Sequence, residues 1–126
     1  MYFLSLIFLL FLSGISFGQE SIAIDSSKYD LVCYHPKKKY LEAFGNLKGI
    51  IPHGEWILFN EKGKLQAKGK FKNGERHGKW EYYDEEGKLM ESGRYRKGKK
   101  HGIWLVYEDM FVHFNDGLVV EQNVFK

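Results

Sequence analysis

A 24-residue period constrains this chain more than any other feature of its sequence. Segments that begin at His53, His77 and His101 all open with His-Gly-x-Trp, and the first two share nine identical positions. A fixed period of this length is typical of repeat architectures, whose terminal units are commonly atypical. We therefore predict repeats over residues 53–76 and 77–100, a degenerate repeat over 29–52, and an atypical capping repeat over 101–124.

Each unit has the composition of a β-hairpin. Two runs of aromatic and branched residues, each of strand length, flank the segment Asn60-Glu61-Lys62-Gly63-Lys64, which recurs at residues 84–88. This segment matches a type I turn closed by a left-handed glycine, and Asn73-Gly74 between units matches a two-residue turn. The predicted fold class is all-β: an elongated antiparallel single-sheet ribbon of stacked 24-residue hairpins.

Recurring tryptophans predict what joins one unit to the next. A buried Trp removes about 200 Å² from water, an upper bound of order 5 kcal/mol. Glycine in mid-strand further predicts that a ring or a backbone lies over it. Trp56 and Phe59 are three residues apart, so either a bulge intervenes or both faces carry aromatic residues. The predicted repeat core comprises Trp56, Phe59, Leu65, Gly69, Phe71, Trp80, Tyr83, Leu89, Gly93, Tyr95, Trp104 and Tyr107.

The N-terminus has the layout of a secretory signal peptide. An apolar run from Phe3 to Leu12 precedes a small, polar stretch, and the first charge is Glu20. The run is shorter than the roughly 20 residues that a membrane-spanning helix needs. We predict a signal peptide over residues 1–18, a repeat domain over 19–126, and a periplasmic or extracellular protein; an uncleaved N-terminal anchor is the alternative.

Composition excludes several function classes. One cysteine cannot form an internal disulfide, and a net charge of +3 carried mainly by lysine disfavours nucleic acid as a partner. Cys33 and His35 could supply a thiol and a base, but no oxyanion hole or orienting carboxylate accompanies them. Acidic residues 84–86 fall on a hairpin tip, where solvation explains them. We expect no enzyme activity and no cofactor.

Three recurring histidines are the candidates for a metal site. His53, His77 and His101 would lie about 10 Å apart along the ribbon if each unit adds two strands. A shared metal needs ligands within about 2.1 Å of one ion. We therefore expect turn histidines and no metal.

A basic stripe is the main electrostatic feature. Its members share strand parity within each of two units: Lys64, Lys68, Lys70 and Lys72, then Lys88, Arg94 and Arg96. The stripe is either a solvated strand face whose lysines discourage edge pairing, or a site for an anionic lipid, glycan or acidic protein.

The repeating residues resemble a known family. His-Gly-x-Trp-x-x-aromatic, then Gly-Lys-Leu, then Gly-x-aromatic resembles the MORN repeat in its bacterial variant form, over about residues 29–124 and most strongly over 53–100. This resemblance implies stacked hairpins, no common catalytic residue, and roles as scaffolds, protein-binding modules or, in some eukaryotic members, membrane-associated tethers. Similar bacterial chains are often labelled antitoxins. The last unit departs from the pattern at Phe111 and His113 and predicts its own hairpin around Asp116-Gly117.

These features together predict an exported, non-enzymatic repeat protein that binds another protein or acts as a scaffold at the cell envelope. Two alternatives stay open: an antitoxin-like protein that neutralises a partner toxin, and a binder of anionic lipid or glycan through the basic stripe. Exposed terminal strands also allow a homodimer.

Overall fold

A single open β-sheet forms the part of the protein that the structure describes. The computed structural model describes residues 26–35, 37 and 40–124, so the predicted signal peptide lies outside the described residues. Nine described strands pair in sequence order and antiparallel, after a three-residue 3-10 turn at Ser26–Lys28. This confirms the predicted single-sheet ribbon, which is about 40 Å long at 4.8 Å per strand. The strands are β1 Leu31–Tyr34, β2 Leu41–Lys48, β3 Ile51–Phe59, β4 Leu65–Lys72, β5 Glu75–Tyr83, β6 Leu89–Arg96, β7 Lys99–Val106, β8 Met110–Asn115 and β9 Leu118–Val124.

The turn inside each full repeat has the predicted geometry. Backbone N–H groups of Asn60 and Gly63 donate to the carbonyl oxygens of Lys64 and Asn60, both at 2.9 Å. The Asn60 side-chain oxygen also accepts from the amides of Lys62 and Lys64. Gly63 has the left-handed φ of 76° that closes the turn. Asp84 makes the same contacts in the next repeat, so the local sequence determines the conformation of the turn.

Two-residue turns between repeats tie three consecutive strands together. Asn73 and Gly74 both have positive φ, 50° and 83°, as a type I′ turn requires. The Gly74 N–H does not bond within its own turn but donates to the Pro52 carbonyl oxygen on β3 at 2.8 Å. The turns at residues 97–98 and 116–117 reach back in the same way. Each turn therefore links its hairpin to the preceding repeat.

Each repeat tryptophan lies flat on a glycine of the preceding strand. A Cβ atom built on Gly69 would lie 2.2 Å from Cδ2 of Trp80. The Trp80 indole N–H donates to the carbonyl oxygen of Lys70, the next residue, at 2.9 Å. Trp56 and Trp104 repeat both contacts. The sequence predicts a ring or a backbone over the mid-strand glycines, and the structure shows that it is a ring, whose N–H group is also hydrogen-bonded.

Edge-to-face ring contacts continue this packing along one face. Phe71 packs against Trp80 at 5.2 Å between centroids, and Tyr95 packs against Trp104 at 5.1 Å. Trp80 and Trp104 are fully buried although no second layer covers them among the described strands. Rings and cationic side chains cover them instead. The row runs in the order Trp56, Phe71, Trp80, Tyr95, Trp104 and Phe114.

Both faces carry aromatic residues, which answers the question that the spacing of Trp56 and Phe59 leaves open. Phe59 packs with Leu41 and Phe44 in a separate cluster near the start of the sheet. Neighbouring Ile57 and Leu58 pack against different clusters, as strand alternation requires. The register also shifts between Leu58 and Phe59 in pairing with β4. Over the middle of the sheet, the second face is polar.

Two placements differ from the sequence predictions. The three repeat histidines were expected in turns, but they lie within β3, β5 and β7. The glycine that follows each histidine lies inside the same strand although its φ is positive; Gly54, for example, has a φ of 86°. Tyr107, assigned to the core by repeat phase, is 48% exposed in the turn after β7, with a φ of 51°. The last unit lacks the turn glycine, so its turn comes earlier.

Replacing the glycine under an indole tests this packing. Gly93→Ala would place Cβ 2.3 Å from Trp104 Cδ2, so we expect the free energy of unfolding to fall by about 2 to 3 kcal/mol. Gly49→Ala is the control: Gly49 has a φ of 65° and no atom near the added carbon, so backbone strain alone costs about 1 kcal/mol. Denaturant unfolding measures both. Equal losses would contradict the packing.

Candidate functional site

Two of the repeat histidines, His53 and His101, contact the next inter-repeat turn. His53 Nδ1 accepts the backbone N–H of Asn73 at 3.2 Å, and His101 Nδ1 lies 3.5 Å from Asp116 Oδ1. Across the described ranges, no group of three or more His, Cys, Asp or Glu residues is placed to hold a metal ion. The contacts with the next turn give His53 and His101 a structural explanation.

Cys33 and His35 do not form an activated nucleophile in this geometry. Burial, with a smaller contribution from Glu42, raises the pKa of the Cys33 thiol, whereas reactive cysteines have a lowered pKa. The His35 ring stacks on Tyr40 at 5.1 Å, and its Nδ1 accepts the N–H of Lys37. The raised pKa of the thiol and these contacts of the imidazole do not support a catalytic dyad.

Internal ion pairs interrupt the basic stripe on the polar face. Lys68 Nζ lies 3.1 Å from Glu81, which also binds Lys79 at 2.8 Å. Hydrogen bonds from Lys79, Lys68 and Tyr83 lower the pKa of Glu81 to about 2, despite partial burial. Glu81 therefore stays ionised and neutralises part of the stripe.

The other stripe residues divide into two groups. Arg96 makes a bidentate contact with Asp116 at 2.9 and 3.0 Å, and Lys64 Nζ donates to the carbonyl oxygen of Glu85. The remaining members make no ion pair within residues 26–35, 37 and 40–124; these are Lys70, Lys72, Lys88 and Arg94. Lys70 and Arg94 occupy equivalent positions, one repeat apart.

The last described strand, β9, is an open edge of the described sheet. It pairs with β8 on one side and with no described strand on the other. All seven of its residues are exposed, including Leu118 at 73% and Val124 at 62%. It contains one charge, Glu121, and no Lys or Pro. Free edges present unpaired N–H and C=O groups and are usually protected by such residues, so β9 is a candidate docking edge.

Two apolar side chains on β7, two strands in from this edge, are also exposed. Ile103 and Leu105 on β7 are 64% and 42% exposed. The sequence predicts exposed terminal strands, but it does not identify these β7 residues, because repeat phase alone does not distinguish inner from end strands. Ile103 and Leu105 flank the repeat tryptophan Trp104, and strand alternation places them on the face opposite to it. This pattern in the sequence could have identified them.

Comparison with known families supports the repeat assignment. A family model described as MORN repeat variant matches residues 52–73 and 76–97, which correspond to the β3–β4 and β5–β6 hairpins. A search of curated proteins found no match. The described residues also include no helix with the length and apolar character needed to cross a membrane.

Glu81 gives the polar face a pH-dependent contribution to stability. Its pKa falls from an ordinary 4.5 to about 2 on folding, so the stabilisation is present above pH 4.5 and is lost as pH falls through 2. We expect Glu81→Gln to destabilise the protein at pH 7, with the difference from the parent shrinking over that interval. Unfolding midpoints measured from pH 7 to pH 2 test this. A difference that is constant with pH would contradict it.

Proposed function

The chain is a MORN repeat protein of the variant type, and from this premise we propose that it is an exported, non-enzymatic module that binds another protein through β9. MORN repeats suggest a protein-binding module. The partner would contribute an extended segment that pairs with the free edge of β9 at the cell envelope.

The exposed, apolar edge of β9 supports this proposal. An added strand forms main-chain hydrogen bonds with an open edge, and alternate side chains provide specificity. Val119 and Val120 are each 56% exposed and lie where the register with β8 shifts. They offer apolar contacts in this bulged part of the strand. A long edge without lysine or proline is an aggregation hazard unless a partner covers it.

Export rests on the N-terminal segment. Its apolar run and small, polar continuation support secretion of the remaining chain. Fractionation of producing cells tests this: we expect the processed chain in the periplasm or the medium. A full-length chain retained in the cytoplasm would contradict export and favour the antitoxin-like alternative, which requires the protein where a toxin acts.

Binding of anionic lipid or glycan is a second candidate. Lys70 and Arg94 favour it, since both are exposed, lack ion pairs with the described residues, and lie about 10 Å apart at two strands per repeat. Each cation near a charged membrane contributes about 1 kcal/mol. The stripe that could act in this way is narrower than the sequence predicts, because Lys68 and Arg96 have internal partners.

One capture experiment distinguishes the two candidates. The immobilised protein is incubated with envelope fractions, and the bound material is compared across three variants. For docking at β9, Val119→Lys with Val120→Lys should reduce capture at least about tenfold. Ile50→Lys is the matched control, because Ile50 is 93% exposed in the β2–β3 turn.

Lys70→Glu with Arg94→Glu is the third variant. Docking at β9 predicts unchanged capture by this variant. Loss with this variant alone would contradict the β9 proposal and favour the anionic ligand. Equal capture by all variants would contradict both.

A further inference from the structure

From β3 onwards, the two long edges of the ribbon carry opposite charge. Because the strands pair in sequence order, successive turns alternate between the edges. The turns after β2, β4, β6 and β8 form one edge, here called the basic edge. Its charged residues are Lys48, Lys72, Glu75, Arg76, Arg96, Lys97, Lys99, Lys100 and Asp116. The turns after β1, β3, β5 and β7 form the other edge, and the turn after β1 carries Lys37. The part of this edge from β3 onwards is here called the acidic edge, with Glu61, Lys62, Lys64, Asp84, Glu85, Glu86, Lys88, Glu108 and Asp109.

The basic edge is grooved rather than smooth. One cleft of about 340 Å³ lies between the turns after β4 and β6, and its cationic walls are Lys72, Arg76, Arg96 and Lys97. A second cleft of about 380 Å³ lies beside it, lined by Arg96, Lys97, Lys99 and Asp116. The clefts alternate with the inter-repeat turns, so the repeat sets their spacing.

Several basic-edge cations are already engaged within the protein. The Arg76 guanidinium lies 5.2 Å from the Trp80 ring centroid, and Lys100 lies over Trp104 and binds Glu91. Arg96 binds Asp116. Exposed Lys72, Lys97 and Lys99 make no ion pair with the described part of the chain, so they are available to an incoming anion.

The acidic edge presents two exposed tips. Glu85 and Glu86 are exposed in the turn after β5, where Glu85 pairs with Lys62 at 2.7 Å, and Glu108 and Asp109 are exposed in the turn after β7. Glu85 and Asp109 are 24 residues apart, which is one repeat or about 10 Å along the ribbon. The two acidic tips therefore have the same spacing as two turns on the basic edge. One of these turns follows Lys72, and the other contains Lys97.

We propose that a second copy of this chain docks side by side, with the acidic tips of one copy against the clefts of the basic edge of the next. Charge complementarity and the shared repeat spacing identify this occupant. A two-fold arrangement would place like edges together, whereas translation places basic against acidic. Each added copy leaves one edge of each kind free, so the assembly is open and grows with concentration.

Sheet twist limits the contact between copies. Neighbouring strands rotate by about 20 to 25°, so straight edges do not stay aligned over many turns. Contact at two tips and two clefts fits this limit. Because the contact consists of exposed charges, salt should weaken it strongly.

Sedimentation velocity on the purified protein, at a series of concentrations, tests the proposal. We expect self-association at ~30 mM salt that weakens at least about tenfold at ~300 mM. A protein that stays monomeric at low salt across the series would contradict the proposal. Association that survives high salt would also contradict it and would place the contact on an apolar surface such as β9.

Charge reversal then locates the contact. A basic-edge variant carries Lys72→Glu, Lys97→Glu and Lys99→Glu, and an acidic-edge variant carries Glu85→Lys, Glu86→Lys and Glu108→Lys. Neither variant should self-associate, because its two edges then carry the same sign. An equimolar mixture of the two should restore association. A mixture that stays monomeric would contradict the proposed pairing, provided that circular dichroism shows each variant folded.

A matched control separates edge position from net charge. Lys62→Glu with Lys88→Glu also adds negative charge, but on the acidic edge, so association should be retained or tightened at least twofold. Loss of association in this control would overturn the proposal, since net charge would then explain the effect.

Discussion

The contact between an indole and the glycine beneath it determines the rest of this structure. A single-layer sheet has no opposing layer to bury its apolar side chains, so they must cover one another on the same face. Trp80 does so by lying on Gly69, where a side chain would leave no room, and by donating its N–H to the neighbouring Lys70 carbonyl oxygen. The contact joins β4 of one repeat to β5 of the next, and edge-to-face rings extend it along the ribbon.

This construction fixes what the protein offers to partners. The tryptophans are buried and serve packing, so the available surfaces are the polar face, the two turn-bearing edges and the final strand. The ribbon holds the turns and faces of successive repeats at a regular spacing. Binding along an edge needs no enclosed pocket, and the clefts between turns are shallow and charged. The geometry therefore offers open edges and faces to a partner.

Much of the fold follows from local sequence, whereas side-chain pairing across strands does not. Asn60 and Asp84 predict their turns because the side chain bonds its own backbone within four residues. Mid-strand Gly69 and Gly93 predict a covering ring. The neutralisation of Lys68 by Glu81 depends instead on the register of β4 and β5, which shifts at Gly69, and the register decides which side chains face each other across the two strands. Similarly, the exposure of β9 depends on its position at the end of the sheet.

A double-mutant cycle between Gly69→Ala and Trp80→Ala tests the central contact most directly. Trp80→Ala alone should cost about 3 to 5 kcal/mol of unfolding free energy. Once the indole is gone, the added methyl group of Gly69→Ala has nothing to displace, so the double variant should be no less stable than Trp80→Ala. The account predicts a coupling of about 2 kcal/mol or more. Additive losses, within about 0.5 kcal/mol, would show that the indole and the glycine act independently and would contradict it.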